Sequence, residues 1–432
     1  MTERVKFKGQ PRLELGAIEG DIEISDCDFV VPREGTQILI NGNVRVEGDV
    51  IFGGALKAKA LHAKAKSIVT VEGDLDIETT AFVDRGDLEV HGSASAKEIG
   101  AASALRVEGN LTCSGAKAGG SIKVRRNAKA HRMSAGGSVH IEGDAEADRV
   151  SAGGSVAIDG RATVSEVSAG GSVKCNTGRI GKVDVGGSFK ALGAVEVDEI
   201  DVGGSGVVGP GSTVHSVDIG GSFKSDGNLS FGVIDVGGSV RLGGDSEGST
   251  IDVGGALSVD GSLHIKEDLD VGGKIEIEKD LRCNGTIKIG GTIFVGGRID
   301  TYRLAVGGRA EAKYIRATDG FRIGRRGEVR GFVESRDIVV RERARTEALY
   351  GEQIRVEERA RVRHLYARDI YLEREVVIEG TVMYTDDLET EDGVRFKEEP
   401  RKVDQLPPPE EVAGQSSELR RRSDDGPCTQ CS

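Results

Sequence analysis

The sequence predicts an all-β fold, a single-stranded β-helix (β-solenoid) with about 17 residues per coil. Three observations predict it. Gly-Gly dipeptides recur at a near-constant interval, apolar residues alternate in short runs between them, and the composition suits a narrow core. The chain has 432 residues with 64 Gly, 8 Pro and no Trp, and aromatics make up 4%. A globular core of this size uses more large aromatic side chains. Small aliphatics suit a solenoid, where every residue lies within one side chain of the axis.

The Gly-Gly pairs begin at residues 119, 136, 153, 170, 186, 203, 220, 237, 254, 272, 290 and 307, in steps of 16 to 18, and Gly324 continues the series. A second column, half a coil away, holds Gly92, Gly109, Gly143 and Gly160. Within a unit the apolar positions have period 2: Val139, Ile141, Ala145, Ala147, Val150 and Ala152 follow Gly136-Gly137-Ser138. That is the pattern of short strands broken by turns. Stacking the units gives interior ladders. One runs Val139, Val156, Val173, Phe189, Phe223, Val240, Leu257, Ile275 and Ile293, with a gap at Gly206 between the two phenylalanines. Another runs from Ala152 and Ala169 through Val185, Val202 and Ile219 to Val306. Three strands fit each coil, with Gly expected at corners that need unusual dihedrals.

Before residue 70 the register weakens, yet Ile38, Ile40, Val44, Val46, Val50 and Phe52 still alternate. After residue 310 glycine thins and arginine rises. Arg341-Glu-Arg-Ala-Arg and Glu357-Glu-Arg-Ala-Arg lie 16 residues apart, so the solenoid is expected to continue with other corner chemistry. The expected organisation is a lead segment over 1–14, a β-helix of roughly 20 to 22 coils over 15–385, a C-terminal edge segment over 386–397, and a disordered Pro-rich tail over 398–432.

The formal charge is -13 with a pI near 5.3, which favours solubility and argues against a nucleic-acid partner. No apolar run reaches the roughly 18 residues of a membrane span, so membrane association is expected to be absent or peripheral. Residues 1–8 lack the apolar core of a signal peptide, and the expected location is the cytoplasm.

Several constellations invite a chemical reading. Asp184, Asp201, Asp218, Asp235, Asp252 and Asp270 form one column, occupied by Ser134, Ser151 and Ser168 in earlier coils. Asp and Ser share the ability to bond backbone N–H groups, so turn capping is expected in preference to a cation ladder. Gly-Gly-Ser repeats along the chain with no helix pattern after it, which argues against a nucleotide loop. The seven histidines, His62, His91, His131, His140, His215, His264 and His364, share no column and no metal spacing. Cys428 and Cys431 have the spacing of half a zinc site with no second pair, and a redox-sensitive or adventitious pair is expected in preference to a half-site completed between chains. Twelve arginines from Arg322 to Arg363 interleave with Glu and Asp, as an ion-pair ladder or as a patch for an acidic surface. No catalytic residue and no cofactor is expected.

Units such as Val71-Glu-Gly-Asp-Leu-Asp-Ile, Val107-Glu-Gly-Asn-Leu and Val185-Gly-Gly-Ser-Phe-Lys, with a Pro-rich tail after the solenoid, resemble the bactofilins, polymer-forming cytoskeletal proteins of prokaryotes. The resemblance covers roughly residues 15 to 385. It implies a right-handed β-helix that polymerises end to end without nucleotide and scaffolds cell shape or protein clients. This chain departs from that pattern in its far longer solenoid and its polar N-terminus. Two other functions compete: a non-catalytic β-helical subunit of an enzyme complex, and a hexapeptide-type acyltransferase, whose usual 18-residue rhythm differs from the 17 that dominates here.

End-to-end self-association is the partner expectation, with protein clients reached through the tail. Ile18, Ile22, Ile24 and Phe29 are expected on the first strand edge, and Val382, Tyr384 and Phe396 on the last. Acidic residues and the tail are expected to shield the last edge. Association is therefore expected to begin with two N-terminal edges meeting as a two-fold dimer.

Overall fold

The computed structural model describes residues 4–414. It is a β-solenoid of about 23 turns with about 17 residues per turn, and 69% of its residues lie in parallel strands. The chain divides into two compact units, residues 1–214 and 215–432. Among the described residues no helix is long and apolar enough to cross a membrane.

In the first unit each turn lays three short strands on the turn before it. Ala128 pairs with Ala145, Met133 with Val150 and Val139 with Val156, all at an offset of 17. Side chains alternate across each strand, so one set fills the axis and the other faces out. Val139, Ile141 and Val150 are at most 1% exposed. Phe189 stacks against Gly206, so the large ring sits beside the missing side chain. The second unit repeats the plan: Leu242 pairs with Val259, and Ile275 with Ile293.

The Gly-Gly corners have another cause than the one expected. None of these pairs has a positive φ. Glycine is needed because successive corners stack too closely for a side chain. A Cβ on Gly153 would lie 2.2 Å from the carbonyl oxygen of Gly136, and one on Gly255 2.3 Å from that of Gly238. The close approach lets each corner bond the next, as in Gly154 N–H donating to Gly137 O at 2.7 Å. Among residues other than glycine, positive φ occurs at Asp26 and then where glycine thins. Arg326, Arg343, Arg359 and Glu375 have φ of 58–59°. Each of these turns its N–H onto a carbonyl of the following turn, 2.8–3.2 Å away.

Both expected boundaries move outward. The lead segment carries two strands, Val5–Lys8 and Arg12–Leu15, because its own alternation continues the ladders. Val5 pairs with Ile22 and Leu13 with Val30. At the other end the ladder continues beyond residue 385 through Val382–Thr390, Arg395–Phe396 and Arg401–Lys402. Of the segment expected to be disordered from residue 398, residues 398–414 are ordered, with a helical turn over 409–414, and residues 415–432 lie outside the described residues.

Candidate assembly interface

At the N-terminal edge, Val5–Lys8 is paired on one side only among the described residues. Val5 faces the axis like Ile22 beneath it, yet it is 43% exposed while Ile22 is 0% exposed. The uncovered ladder is therefore apolar inside and basic outside, with Arg4, Lys6 and Lys8 at the rim. Arg4 and Lys6 both reach Glu23, at 3.0 and 3.1 Å. Ile22 and Ile24, expected on the first edge, are instead sealed inside the second turn by Val5 and Phe7. Ile18 does lie in the first turn, bridged to Ile40. Phe29 pairs with Arg12 and points outward from the side of the solenoid, 46% exposed.

At the C-terminal edge the last full turn is formed by Val382–Thr390 and Arg395–Phe396. Strand Arg401–Lys402 then adds to Met383 and Tyr384 only. Val382 is buried, so it belongs to the interior and not to the edge. Tyr384 lies below Lys402, whose ammonium is 5.9 Å from its ring. Phe396 is on the last strand of its face, paired below to Ile378. The outermost residues of the remaining face, Asp387, Leu388, Glu389 and Thr390, have pairing partners only in Asp369, Ile370, Tyr371 and Leu372.

Among the described residues, the segment 403–414 does not shield this edge. It runs back along the flank and covers an outward-facing aromatic ladder, which sequence reading missed. Phe332 and Val333 are both buried although neighbours in a strand face opposite ways. Val333 fills the axis, and Phe332 lies beneath Val412 with Ala348 and Tyr366. Leu406, Ala413, Tyr314, Tyr350 and Met383 complete the cluster. Ring centroids step by 5.0, 6.2 and 6.4 Å from Tyr314 through Phe332 and Tyr350 to Tyr366. Burial, then the neighbouring Glu334 carboxylate, pushes the Tyr314 hydroxyl above its ordinary pKa. The available signal was the concentration of aromatics at outward positions in an aromatic-poor chain.

The other constellations are surface features. The Asp column caps nothing: these carboxylates point outward, and among the described residues none accepts a backbone N–H. Capping belongs to another corner. Asp74 accepts from Ser93 N–H at 2.7 Å, Asn110 from Asn127 at 3.1 Å, Asn127 from Asp144 at 2.9 Å, and Asp144 from Arg161 at 2.7 Å. Asp245, Asp268 and Asp280 repeat the device in the second unit. Four histidines each face an acid on an adjacent turn: His62 with Asp84, His91 with Glu72, His131 with Asp148 and His140 with Asp159, at 2.8–3.1 Å. His131 and Asp148 line a shallow groove of about 580 Å³ with Lys129, Glu146 and Cys113. Lys129 and Glu146 there form an ion pair of 2.7 Å. Burial pushes the Cys113 and Cys175 thiols up to about 12, which keeps both protonated at neutral pH.

The arginine run is largely an ion-pair ladder. Arg325, Arg330, Arg336, Arg341, Arg343, Arg355 and Arg359 each have a carboxylate within 2.6–3.7 Å. The buried Asp319 holds both Arg303 and Arg336, at 2.5 and 2.6 Å. Cys428 and Cys431 lie outside the described residues. The chain matches no protein-family model, no curated protein and no solved structure.

Proposed function

We propose that this chain is a structural scaffold, a bactofilin-like protein that self-associates through the ends of its solenoid in the cytoplasm, without nucleotide and without catalysis. The observation that carries this reading is the uncovered first turn. Inward-facing Val5 remains 43% exposed where the same column one turn later is fully buried. An exposed strand edge with an apolar interior is a template for pairing with another chain. Natural proteins that stay monomeric usually blunt such an edge, and among the described residues the segment 403–414 lies along the flank instead. A stack of turns that grows by adding equivalent turns needs no cofactor and no energy source.

Sedimentation velocity of the purified chain, without nucleotide, tests this reading. The expected result is a sedimentation coefficient that rises with protein concentration, and an unchanged series when ATP or GTP is added. A single monomeric species at every concentration overturns the proposal.

A further inference from the structure

We infer that the two ends are complementary to each other, so that copies join head to tail in a polar series. The inference rests on the end-to-end association proposed above, and it assigns the register.

The chain order of the strands matches across such a junction. The open strands at the C-terminal end are, in order, 387–390, 395–396 and 401–402. At the N-terminal end they are Val5–Lys8, Arg12–Leu15 and the Ile18 bridge. Placing the first turn of one copy on the last turn of another therefore continues all three faces with none skipped.

The backbone pattern fixes the pairing. Val5 N–H and Gly9 N–H both donate toward the second turn, to Asp21 O and Ser25 O. By alternation the amides of Lys6 and Lys8 point off the end. At the other end Glu391 N–H donates inward to Leu372 O, so the peptide groups of Leu388 and Thr390 point off that end. Leu388 opposite Val5 then lets Leu388 N–H meet Arg4 O, and Lys6 N–H meet Leu388 O. This is the same bridge that Val5 makes with Ile22.

That register sets the side chains. Leu388 and Thr390 meet Val5 and Phe7 inside. Outside, Asp387 falls opposite Arg4, Glu389 opposite Lys6 and Glu391 opposite Lys8. Asp387 and Glu389 have no cation within ion-pair distance among the described residues. Either like-end contact places Lys6 and Lys8, or Asp387 and Glu389, against their own copies. Like charges across a strand pair destabilise it. The two-fold N-terminal dimer expected from the sequence is therefore disfavoured, because the first edge is the basic strand Val5–Lys8 rather than the apolar segment around Ile22.

Two charge-reversed proteins test the polarity: Lys6→Glu/Lys8→Glu and Asp387→Lys/Glu389→Lys. All four side chains are exposed, and melting curves check that both variants fold. Sedimentation velocity is run on each alone and on an equimolar mixture. Head-to-tail joining predicts that each variant alone associates about tenfold or more weakly than wild type, from pairs lost and like charges created. It also predicts that the mixture regains a long series, since the reversed N-terminal end of one variant meets the reversed C-terminal end of the other, and their two native ends meet each other. A mixture that associates no better than either variant alone overturns the polarity. Variants that assemble alone as wild type does overturn the polarity and the register and support like-end pairing, in which reversing one end leaves like charge facing like charge. A wild-type chain that stays monomeric overturns the underlying proposal, and this inference with it.

Discussion

Replacing Asn127 by Ala separates the corner that caps from the column that does not. Asn127 Oδ1 accepts Asp144 N–H at 2.9 Å, on the turn that follows. Truncation removes this acceptor, and the corner's exposure lets water take its place. The loss is then about 1 kcal/mol, the net worth of one intramolecular hydrogen bond. At about 1.4 kcal/mol per factor of ten, local opening at Asp144 rises roughly fivefold. Hydrogen exchange followed by mass spectrometry reads this directly as faster exchange in the peptide spanning Asp144. Asn127→Asp keeps an acceptor oxygen and leaves the rate near wild type. Asp235→Ser is the matched control: its carboxylate accepts no backbone N–H and stacks against Asp252, so the change is neutral or slightly stabilising. Equal protection in Asn127→Ala and wild type, or a larger loss in Asp235→Ser, refutes the assignment of capping to the Asp74–Asp144 corner.

Gly153→Ala places a methyl 2.2 Å from Gly136 O and is expected to cost about 1–3 kcal/mol in urea unfolding, whereas Gly16→Ala, with nothing within 4 Å, is expected to be neutral or mildly stabilising. Val412→Asp buries a charge against Phe332 and Tyr366 and is expected to release the 403–414 segment, read as faster proteolysis there and greater tyrosine accessibility. The Cys175 thiol is raised by burial to about 12, so the folded state holds its proton where the unfolded chain has lost it. Its stabilising contribution is complete below the unfolded pKa of about 8.5 and declines as pH rises toward 12. Cys175→Val is expected to flatten the fall in melting temperature over that interval, and an unchanged slope contradicts it.

The period, the interior ladders and the turn length were legible because alternation and corner glycine are local signals repeated many times. Val139, Val156 and Val173 could be stacked from spacing alone, and the structure stacks them. What the sequence concealed is how a corner uses its residues. The glycines answer to a carbonyl one turn away, which no local dihedral preference reveals. Asp235 and Asn127 are both short and polar, yet only the second sits where the next turn's N–H arrives. The edges were misplaced for a related reason: Val5–Lys8 has only four residues of alternation, too few to register by themselves. The flank was missed because Leu406 and Val412 lie in a stretch rich in proline and acid that reads as disordered until Phe332 and Tyr366 offer it a surface.

Cryo-electron microscopy of assembled chains, with classes centred on the junction between copies, tests end-to-end scaffolding most directly. Continuous pairing across the junction predicts that the spacing of roughly 4.7–4.9 Å between turns passes through it without interruption. The strand carrying Val5 and Lys6 of one copy should lie directly on the strand carrying Leu388 and Glu389 of the next. Copies joined side by side along their flanks, or a break in the turn spacing at every junction, would contradict the account.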